Sequence, residues 1–454
     1  MKVKWPGWVR YRIKYYFDLF TGERVRTNLL QAMPLWMASL LTGMVAVGYT
    51  KLFGWSEDLL QYILQGRNWM IFIIAPLCFF FAWFIVQKLA PNARGSGIPQ
   101  MMAAIELAKP KTDSLIDRLL SLKIAAVKIV SSLLMVLGGG AIGREGPTIQ
   151  IAGSIFRAVN KWIPATWPKL SNQSFILTGG AAGLAAAFNT PLGGIVFAME
   201  ELSKIHLRFF RTALFTAVII AGLTAQALLG PYLYLGYPDV KHLQFTIFFA
   251  VAATAVMAGF LGSIMGKWTL AFMKWKRRQT PLKGILFPIA AGLIIALIAY
   301  FISSDILGSG KNIMNKGLFT ANKETSWYTI LLRMTGTMLC FNTGAAGGVF
   351  APSLAAGASV GAYIAHVFDV ADANANILIL SGMVGFLTGI TRTPFTSAIL
   401  VLEMTDRHSV IFHLMLAAMI SNIAALLVEK RSFYEQLKEN FVEQSLENHR
   451  EQNH

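Results

Sequence analysis

The stretch GGGAIGREGPTIQ, residues 138–150, places an adjacent Arg144 and Glu145 among five glycines. Apolar sequence flanks this stretch on both sides, so the two charged residues stand where hydrocarbon or buried protein is expected. Ionised side chains in such surroundings are costly and usually functional. Glu145 is therefore a candidate functional residue.

Composition excludes a large soluble enzyme. Of 454 residues, 55% are hydrophobic and 14% are charged, and the mean hydropathy is +0.53. Such values predict an integral membrane protein. About ten stretches, among them residues 69–90 and 285–302, approach the ~20 apolar residues that cross a bilayer. The predicted fold class is an all-α polytopic membrane protein.

The net charge of +17 follows a membrane pattern. Lys and Arg cluster between apolar runs, as in residues 204–211 and 274–283, which the positive-inside rule expects of cytoplasmic loops. No nucleic-acid-binding module accompanies these clusters, so we predict no nucleic-acid partner. We expect both termini in the cytoplasm and no cleavable signal peptide.

Two further features bear on chain organisation. Apolar residues at helical spacing within residues 1–30 predict a helix that lies at the membrane surface or packs on the rest of the protein. These residues are Trp5, Val9, Ile13, Tyr16 and Phe20. Cys78 and Cys340 both lie in apolar runs, so we expect small buried residues and neither a disulfide nor a metal site.

The chain contains an internal repeat. Residues 179–201 align with residues 381–404 so that Gly183 meets Gly385, Pro191 meets Pro394 and Glu200 meets Glu403. Upstream, GREGPTIQIA (143–152) lies opposite GVFAPSLAAG (348–357) in the same order. Two ordered pairings indicate a duplicated chain. Duplicated halves with Gly/Pro breaks in matching places are typical of a transporter whose site lies between the repeats.

The breaks predict helices that start inside the bilayer. Each has a flexible or capping stretch, then a proline and an apolar run, and the five prolines are Pro99, Pro147, Pro191, Pro352 and Pro394. Proline suits the first helical turn, where its missing N–H is not needed. Thr190 and Thr393 stand where they could cap the next helix. Helix starts carry unpaired N–H groups and the positive end of the macrodipole, so several of them predict a convergent anion site.

Glu145 stands beside this predicted anion site. An ionised carboxylate can satisfy the same N–H groups as an anion and leave when protonated, which would couple protons to anions. A structural ion pair with Arg144 is the alternative, although adjacent residues on a helix point apart. Glu200 and Glu201 end an apolar segment near the cytoplasm, where one could transfer protons and the other could form a cap or salt bridge. For either residue taken alone, a solvated helix end is the favoured alternative.

A capping box predicts the helix that carries Tyr434. Ser432 and Glu435 have the S-x-x-E spacing, which places Tyr434 in the first turn. Its phenol could donate to an anion at that helix end, or it could belong to an interfacial aromatic belt.

Four motifs together resemble one family. GSGIP (95–99), GREGP (143–147) and GGVFAP (347–352), followed by VLEMTD (401–406), are similar to those of the CLC family of chloride channels and chloride/proton antiporters. The resemblance covers residues 30–440. It implies a homodimer with one pore per subunit, each subunit built of inverted repeats with many tilted or broken helices.

The resemblance assigns roles to individual residues at the anion site. Ser96 and Tyr434 match positions whose hydroxyls coordinate the central anion. The backbone around Val349 and Phe350 matches the source of N–H donors. Ser96 also resembles the chloride-type filter, where proline would suggest nitrate and asparagine would suggest fluoride export.

The resemblance also assigns the proton path. Glu145 matches the external gating glutamate that competes with chloride and carries the proton, and Glu201 matches the internal proton-transfer glutamate of the antiporters. The acid at Glu201 favours an antiporter, because channel members commonly lack one there. Gln100 and Met101 stand where many relatives carry acidic residues. The salt bridges and dimer contacts that those acids would form are therefore not expected of this chain.

The predicted function is secondary active exchange of chloride for protons, with chloride, protons and the lipid bilayer as partners. A passive chloride-selective channel is the alternative within the family. A membrane-embedded enzyme with Glu145 as general base lacks a convergent nucleophile or metal constellation, so we expect no enzyme, no cofactor and no bound metal. We predict a transport domain over residues 31–440, with repeats at about 31–235 and 240–440, and a cytoplasmic tail over 441–454. A bacterial inner membrane is the expected location.

Overall fold

The computed structural model describes residues 8, 12, 23–164, 166–168, 170–202, 211–230, 233–240, 246–320, 323, 325–370 and 372–452. The helix predicted from Trp5, Val9, Ile13, Tyr16 and Phe20 lies outside the described residues.

The described part of the chain folds into 17 α-helices and two isolated β-bridges, with no strand. The predicted all-α class is confirmed. The helices are α1 Glu23–Leu64, α2 Ile71–Leu89, α3 Ile98–Leu107, α4 Leu122–Leu137, α5 Glu145–Trp162, α6 Asn172–Phe188, α7 Pro191–Phe197, α8 Arg211–Leu229, α9 Ile247–Arg277, α10 Pro281–Phe301, α11 Lys311–Phe319, α12 Trp327–Asn342, α13 Phe350–Val367, α14 Asp372–Thr391, α15 Pro394–Thr405, α16 Ile411–Leu426 and α17 Phe433–Gln452.

Nine helical segments in the described ranges are long and apolar enough to cross a bilayer, against about ten expected. The short helices begin where the breaks predicted. α7 has 7 residues and α15 has 12, so at about 1.5 Å per residue neither crosses the hydrocarbon core alone. All five predicted helix starts are confirmed. Helices begin at Ile98, Glu145, Pro191, Phe350 and Pro394.

The duplication is visible in helix order and packing. α5 and α13 are each 18 residues long, and each packs against the helix that follows it. The long helices α1 and α9 open the two halves, and each packs on the last spanning helix of its own half, α8 or α16. α17 lies outside this duplication and packs on α3, so the helix that carries Tyr434 closes over the first repeat. It also runs past residue 440 into the segment expected to be a tail.

Backbone bridges join the loops that precede the site helices. Gly143 N–H donates to Gly348 O and Gly348 N–H donates to Gly143 O, both at 2.8 Å. Gly95 N–H donates to Ala345 O at 2.8 Å, and Gly347 N–H donates to Gly95 O at 3.1 Å. The starts of α3, α5 and α13 are therefore held together at one point by main-chain hydrogen bonds.

The predicted caps of α7 and α15 are wrong. Neither Thr190 nor Thr393 makes a side-chain cap hydrogen bond. The Thr393 hydroxyl pairs with that of Thr391, and the Thr190 side chain is buried. A carboxylate from the other repeat accepts the first N–H groups of each helix instead. Cys78 and Cys340 are both free thiols, with Cys340 buried and Cys78 half-buried.

Candidate functional site

Ser96 lies in a tight loop before α3. Its neighbours Gly95 (φ 64°) and Gly97 (φ 106°) both adopt left-handed conformations that glycine accepts without strain. The Ser96 side chain is 1% exposed. A Cβ built on Gly146, at the start of α5, would overlap Ser96 Oγ. Glycine at residue 146 therefore lets the start of α5 approach the Ser96 hydroxyl.

Two glutamines brace the Ser96 loop. Gln100 Nε2 donates to Asn92 O at 3.1 Å and to Arg94 O at 2.6 Å. Gln150 Nε2 also donates to Asn92 O, at 3.2 Å. Both side chains are buried. Gln100, one of the two departures from the acidic pattern noted above, thus orients the Ser96 loop through hydrogen bonds from a neutral amide.

Tyr434 meets Ser96 from the opposite end of the chain. Ser432 Oγ accepts the Glu435 N–H at 3.0 Å, so the predicted cap is confirmed and Tyr434 lies in the first turn of α17. The Tyr434 side chain is fully buried, and its hydroxyl oxygen lies 3.5 Å from Ser96 Oγ. Its ring stacks on Phe350, with centroids 6.2 Å apart. The phenol therefore points towards the Ser96 loop inside the protein.

The start of α13 supplies unpaired donors. Val349 is the N-cap residue and Phe350 the first helical residue, and both are buried. Within the described residues, their N–H groups donate to no protein acceptor, as expected for the first turn of a helix. The Phe350 ring packs against Phe188 and Phe197 as well as Tyr434. An aromatic wall therefore surrounds the positive end of this helix.

Glu145 is the first residue of α5 and is 1% exposed. Its carboxylate has the backbone N–H groups of Glu145 and Ala351 and the Arg144 guanidinium in its electrostatic surroundings. A Cβ on Gly143 would meet both Glu145 Oε2 and Ala351, so glycine there gives the carboxylate room. The acid thus lies where the helix starts of the two repeats meet.

Arg144 contacts groups other than its neighbour. Its guanidinium lies 5.8 Å from the centroid of the Tyr234 ring, and Nη1 lies 3.5 Å from Thr50 O. Lys311 approaches the same ring at 5.4 Å. Two cations therefore gather at Tyr234, on the flank of the Glu145 helix start.

Glu201 lies in a single π-helical turn, Ala198–Leu202, that follows α7. The side chain is 8% exposed. The Tyr434 phenol has both Glu201 and Glu145 in its electrostatic surroundings. Both acids predicted for the proton path thus act electrostatically on the hydroxyl predicted for the anion site.

A cavity of about 310 Å³ leads to Ser96. Its wall includes Arg94, Lys276 and Arg277 and no Asp or Glu. Lys276 and Arg277 end α9 in the basic segment predicted to face the cytoplasm. A positively charged vestibule without carboxylates favours the approach of anions.

The structure brings together five of the six sequence-predicted site residues, which are Ser96, Glu145, Val349, Phe350 and Tyr434. Glu201, in its π-helical turn, acts electrostatically on Tyr434. Lys128 is a neighbour of this site that sequence reasoning did not find. It is fully buried in α4, and Nζ donates to Gly95 O at 3.0 Å. A single charged residue within the apolar run 124–137 is the signal that could have found it. Among the described residues, no group of three or more His, Cys, Asp or Glu side chains could hold a metal ion.

A duplicated bundle with broken helices that start around buried hydroxyls and carboxylates is typical of a polytopic membrane protein. Residues 78–426 match the family model described as voltage gated chloride channel. The chain therefore belongs to this family, the CLC family, and is an integral multi-pass membrane protein.

Three solved structures share the fold. A slow cyanobacterial Cl⁻/H⁺ antiporter is 23% identical, with a TM-score of 0.78 over 90% of this chain and 97% of that one. A CLC-type fluoride/proton antiporter is 20% identical, with a TM-score of 0.73 over 91% and 98%. A eukaryotic CLC transporter is 20% identical, with a TM-score of 0.74 over 90% and 74%.

Proposed function

We propose that this protein is a secondary active chloride/proton antiporter. One observation carries the proposal: the Tyr434 hydroxyl lies 3.5 Å from Ser96 Oγ and has both Glu145 and Glu201 in its electrostatic surroundings. An anion held between the two hydroxyls would therefore lie within the influence of two acids. Anion movement and proton movement would then act on the same few atoms.

The anion site is built mainly from neutral donors. The Ser96 and Tyr434 hydroxyls and the N–H groups of Val349 and Phe350 can each donate to a halide, and the α13 dipole adds a positive potential. Neutral donors bind an anion without trapping it as a buried salt bridge would. An anion bound in this way can be released, which repeated transport requires.

Glu145 is proposed as the external gate. Its carboxylate lies against the helix starts of both repeats, where it competes with an anion for N–H donors when ionised. Protonation removes its charge and its affinity for that place. Proton transfer through Glu145 would thus be tied to its exchange with anions at this place.

Glu201 is proposed as the internal proton-transfer group. It is almost fully buried, near the Tyr434 phenol and off the cavity that leads to Ser96. Protons and chloride would therefore reach the centre from inside by separate routes. A passive chloride channel, the second candidate, has no need for a buried acid on such a separate route.

The proposed substrate is chloride, because Ser96 provides the hydroxyl of the chloride-type filter. A serine hydroxyl has one O–H that can donate a hydrogen bond to a halide. The fold neighbours include one chloride/proton and one fluoride/proton antiporter by their titles, so both halides belong in the test.

Reconstitution in liposomes tests the proposal. A chloride gradient imposed across the vesicle membrane, with the membrane potential clamped by valinomycin and potassium, should drive protons uphill against a measured pH difference. The same vesicles loaded with fluoride should show much slower exchange. Chloride flux with no accompanying proton flux would favour the channel and end the antiporter proposal.

We propose a homodimer with one pore per subunit that uses the face formed by α7 and α15. Both helices start within the membrane domain, and their capping carboxylates, Glu200 and Glu403, are only half-buried. Polar helix ends at membrane depth are tolerated against protein and not against lipid. Large apolar side chains on the same face, Leu192, Met199 and Phe395, are exposed and available for packing.

We further propose that the protein acts in a bacterial inner membrane with both termini in the cytoplasm, and as a transporter without enzymatic activity. The basic C-terminal end of α9 and its following segment support this orientation. Cysteine labelling of an exposed α17 position in intact and permeabilised cells measures it. Labelling of intact cells would reverse the proposed orientation.

A further inference from the structure

The loop between α10 and α11, residues 302–310, lies far from the cavity that leads to Ser96. Near its start, α10 contributes Gly284 to the wall of that cavity. The helix has 21 residues, so at about 1.5 Å per residue it ends roughly 30 Å from where it began. With the cavity on the cytoplasmic side, as proposed above, residues 302–310 face the external solution. We call them the outer loop.

Hydrogen bonds attach the outer loop to the segment that leads to Glu145. Gly308 N–H donates to Gly139 O at 3.1 Å, six residues before the gate. Arg333, fully buried in α12, donates to four successive carbonyls of the outer loop, those of residues 305–308. The outer loop is therefore fixed in place beside the gate.

A carboxylate from α1 also binds the outer loop. Glu57 Oε1 accepts the Ser309 N–H at 2.8 Å. A Cβ built on Gly308 would lie 3.0 Å from the same oxygen, and the φ of Gly308 is +63°, which glycine accepts without strain. The Glu57 side chain is half-buried. Glu57 therefore brings a carboxylate to the outer loop and keeps part of its side chain exposed.

Packing on α13 places the outer loop close to Glu145. A Cβ on Gly310 would overlap the Cβ of Ala355, so the outer loop contacts α13 there. Ala351 lies four residues earlier on the same face of α13, about one turn away, and its N–H is in the electrostatic surroundings of the Glu145 carboxylate. The Glu57 charge is part of the same surroundings. The two acids thus approach neighbouring turns of one helix.

Charged and titratable groups from several elements surround the two acids. They are Arg144 at the start of α5, Tyr49 in α1, Asp305 in the outer loop, Lys311 in α11, Arg333 in α12 and Tyr434 in α17. The three cations favour the ionised form of a nearby carboxylate. Glu57 has the opposite effect on Glu145, because a second negative charge favours the protonated form.

We infer that Glu57 sets the pH at which Glu145 takes up its proton, and so tunes the proposed antiporter to the external pH. The inference rests on the gate role of Glu145 in the proposed function. Glu57 is a positioning residue, since it acts through Glu145 and needs no contact with the anion. While Glu57 is ionised, its charge makes a second carboxylate nearby less favourable. The gate therefore stays protonated up to a higher pH than it would without Glu57.

Substitutions at residue 57 separate its charge from its hydrogen bond. Glu57→Gln removes the charge, and the amide oxygen can still accept the Ser309 N–H. Two partly screened carboxylates several ångströms apart change each other's proton affinity by roughly threefold, which is about half a pH unit. We therefore expect Glu57→Gln to move the midpoint of the pH dependence of chloride transport about half a pH unit lower. Glu57→Asp keeps the charge and should keep the wild-type midpoint.

Chloride efflux from liposomes tests this inference. Efflux is followed at several pH values, equal on both sides of the membrane, for the wild type and for each variant. Asp58→Asn is the matched control, because it removes an exposed negative charge at the next position of α1, and it should keep the wild-type midpoint. The double variant Glu57→Gln/Glu145→Gln should give a profile as flat as that of Glu145→Gln alone, since Glu57 acts through Glu145.

The outcomes separate this inference from the proposed function. If wild-type transport does not depend on pH, or if Glu145→Gln keeps that dependence, the gate of the proposed function fails. If both behave as proposed and Glu57→Gln keeps the wild-type midpoint, the inference is overturned. It is also overturned if Glu57→Asp shifts the midpoint as far as Glu57→Gln does, because Glu57 then acts through the shape of the outer loop. Should Glu57→Gln not fold, Glu57→Ser replaces it, since its short neutral side chain leaves room for a water at the Ser309 N–H.

Discussion

Glu200 and Glu403 each cap the short helix of the opposite repeat. Glu403 accepts the N–H groups of Leu192 and Gly193 at 3.0 and 2.6 Å, at the start of α7. Glu200 accepts those of Phe395 and Thr396 at 3.2 and 2.7 Å, at the start of α15. Each glutamate lies near the end of a short helix in its own repeat and accepts hydrogen bonds from the positive end of the short helix in the other repeat. The two repeats are therefore joined by matching contacts.

Loss of either cap should destabilise the protein without uncoupling transport. We expect Glu200→Ala and Glu403→Ala each to cost about 1–2 kcal/mol, because two helix-start N–H groups lose a charged acceptor. Thermal unfolding in detergent measures the loss. Glu443→Ala, on an exposed face of α17, should change nothing. Equal stability of all three variants would mean that the caps contribute no net stability.

Glu145→Gln should leave chloride transport running but free of pH dependence. The amide resembles the protonated gate in shape and has no charge with which to compete for N–H donors. Chloride efflux from liposomes, followed between pH 4.5 and 7.5, should give a flat profile where the wild type varies. Proton uptake that survives this substitution would remove Glu145 from the proposed mechanism.

Glu201→Gln should abolish proton transport while chloride transport persists. Loss of a proton-transfer group lowers the proton flux by roughly a hundredfold or more. Glu200→Gln is the control, since it changes the adjacent acid, which caps α15. Parallel proton and chloride measurements in liposomes distinguish the two. An unchanged proton flux in Glu201→Gln would agree with a proton route elsewhere.

Gly146→Ala should damage the anion site through shape alone. A methyl group at residue 146 would overlap Ser96 Oγ and displace the hydroxyl from its present position. Because a well-aligned hydrogen bond to a charged group contributes about 1.5–3 kcal/mol, we expect chloride affinity to fall at least tenfold. Gly48→Ala is the matched control, as nothing lies within 4 Å of its added methyl group. Calorimetric titration of chloride into both variants measures the difference.

Leu223→Gln should weaken the proposed homodimer. Leu223 lies on α8, which packs beside α7, and its side chain is 57% exposed. A buried amide at a subunit contact lacks a partner and favours the monomer. Light scattering in detergent measures the mass. Leu297→Gln, on α10 away from this face and 47% exposed, is the control and should keep the wild-type mass. Dissociation of both variants alike would contradict the assigned face.

Much of the site was predictable because its signals are local. Pro191 and Pro394 predicted helix starts, since proline lacks the N–H that the first turn leaves unpaired. The Ser432 cap likewise predicted the position of Tyr434. Thr190 and Thr393 were wrongly predicted as caps because the competing acceptors, Glu403 and Glu200, lie 213 and 193 residues away from them in the sequence. Local spacing has no information on such distant partners.

Composition, the repeat and the Gly/Pro breaks by themselves determined a duplicated all-α membrane protein with helix starts at the breaks, because hydropathy and backbone chemistry act over a few residues. Only the tertiary structure decided that Gly143 bonds to its repeat partner Gly348, that Glu200 is a cap, and that Lys128 lies behind the Ser96 loop. Those relationships depend on how the two halves pack, since a buried charge or an unpaired N–H takes its partner from whatever the fold brings near. The Glu145 carboxylate in GGGAIGREGPTIQ lies where the start of α5, from the first repeat, meets the start of α13, from the second repeat.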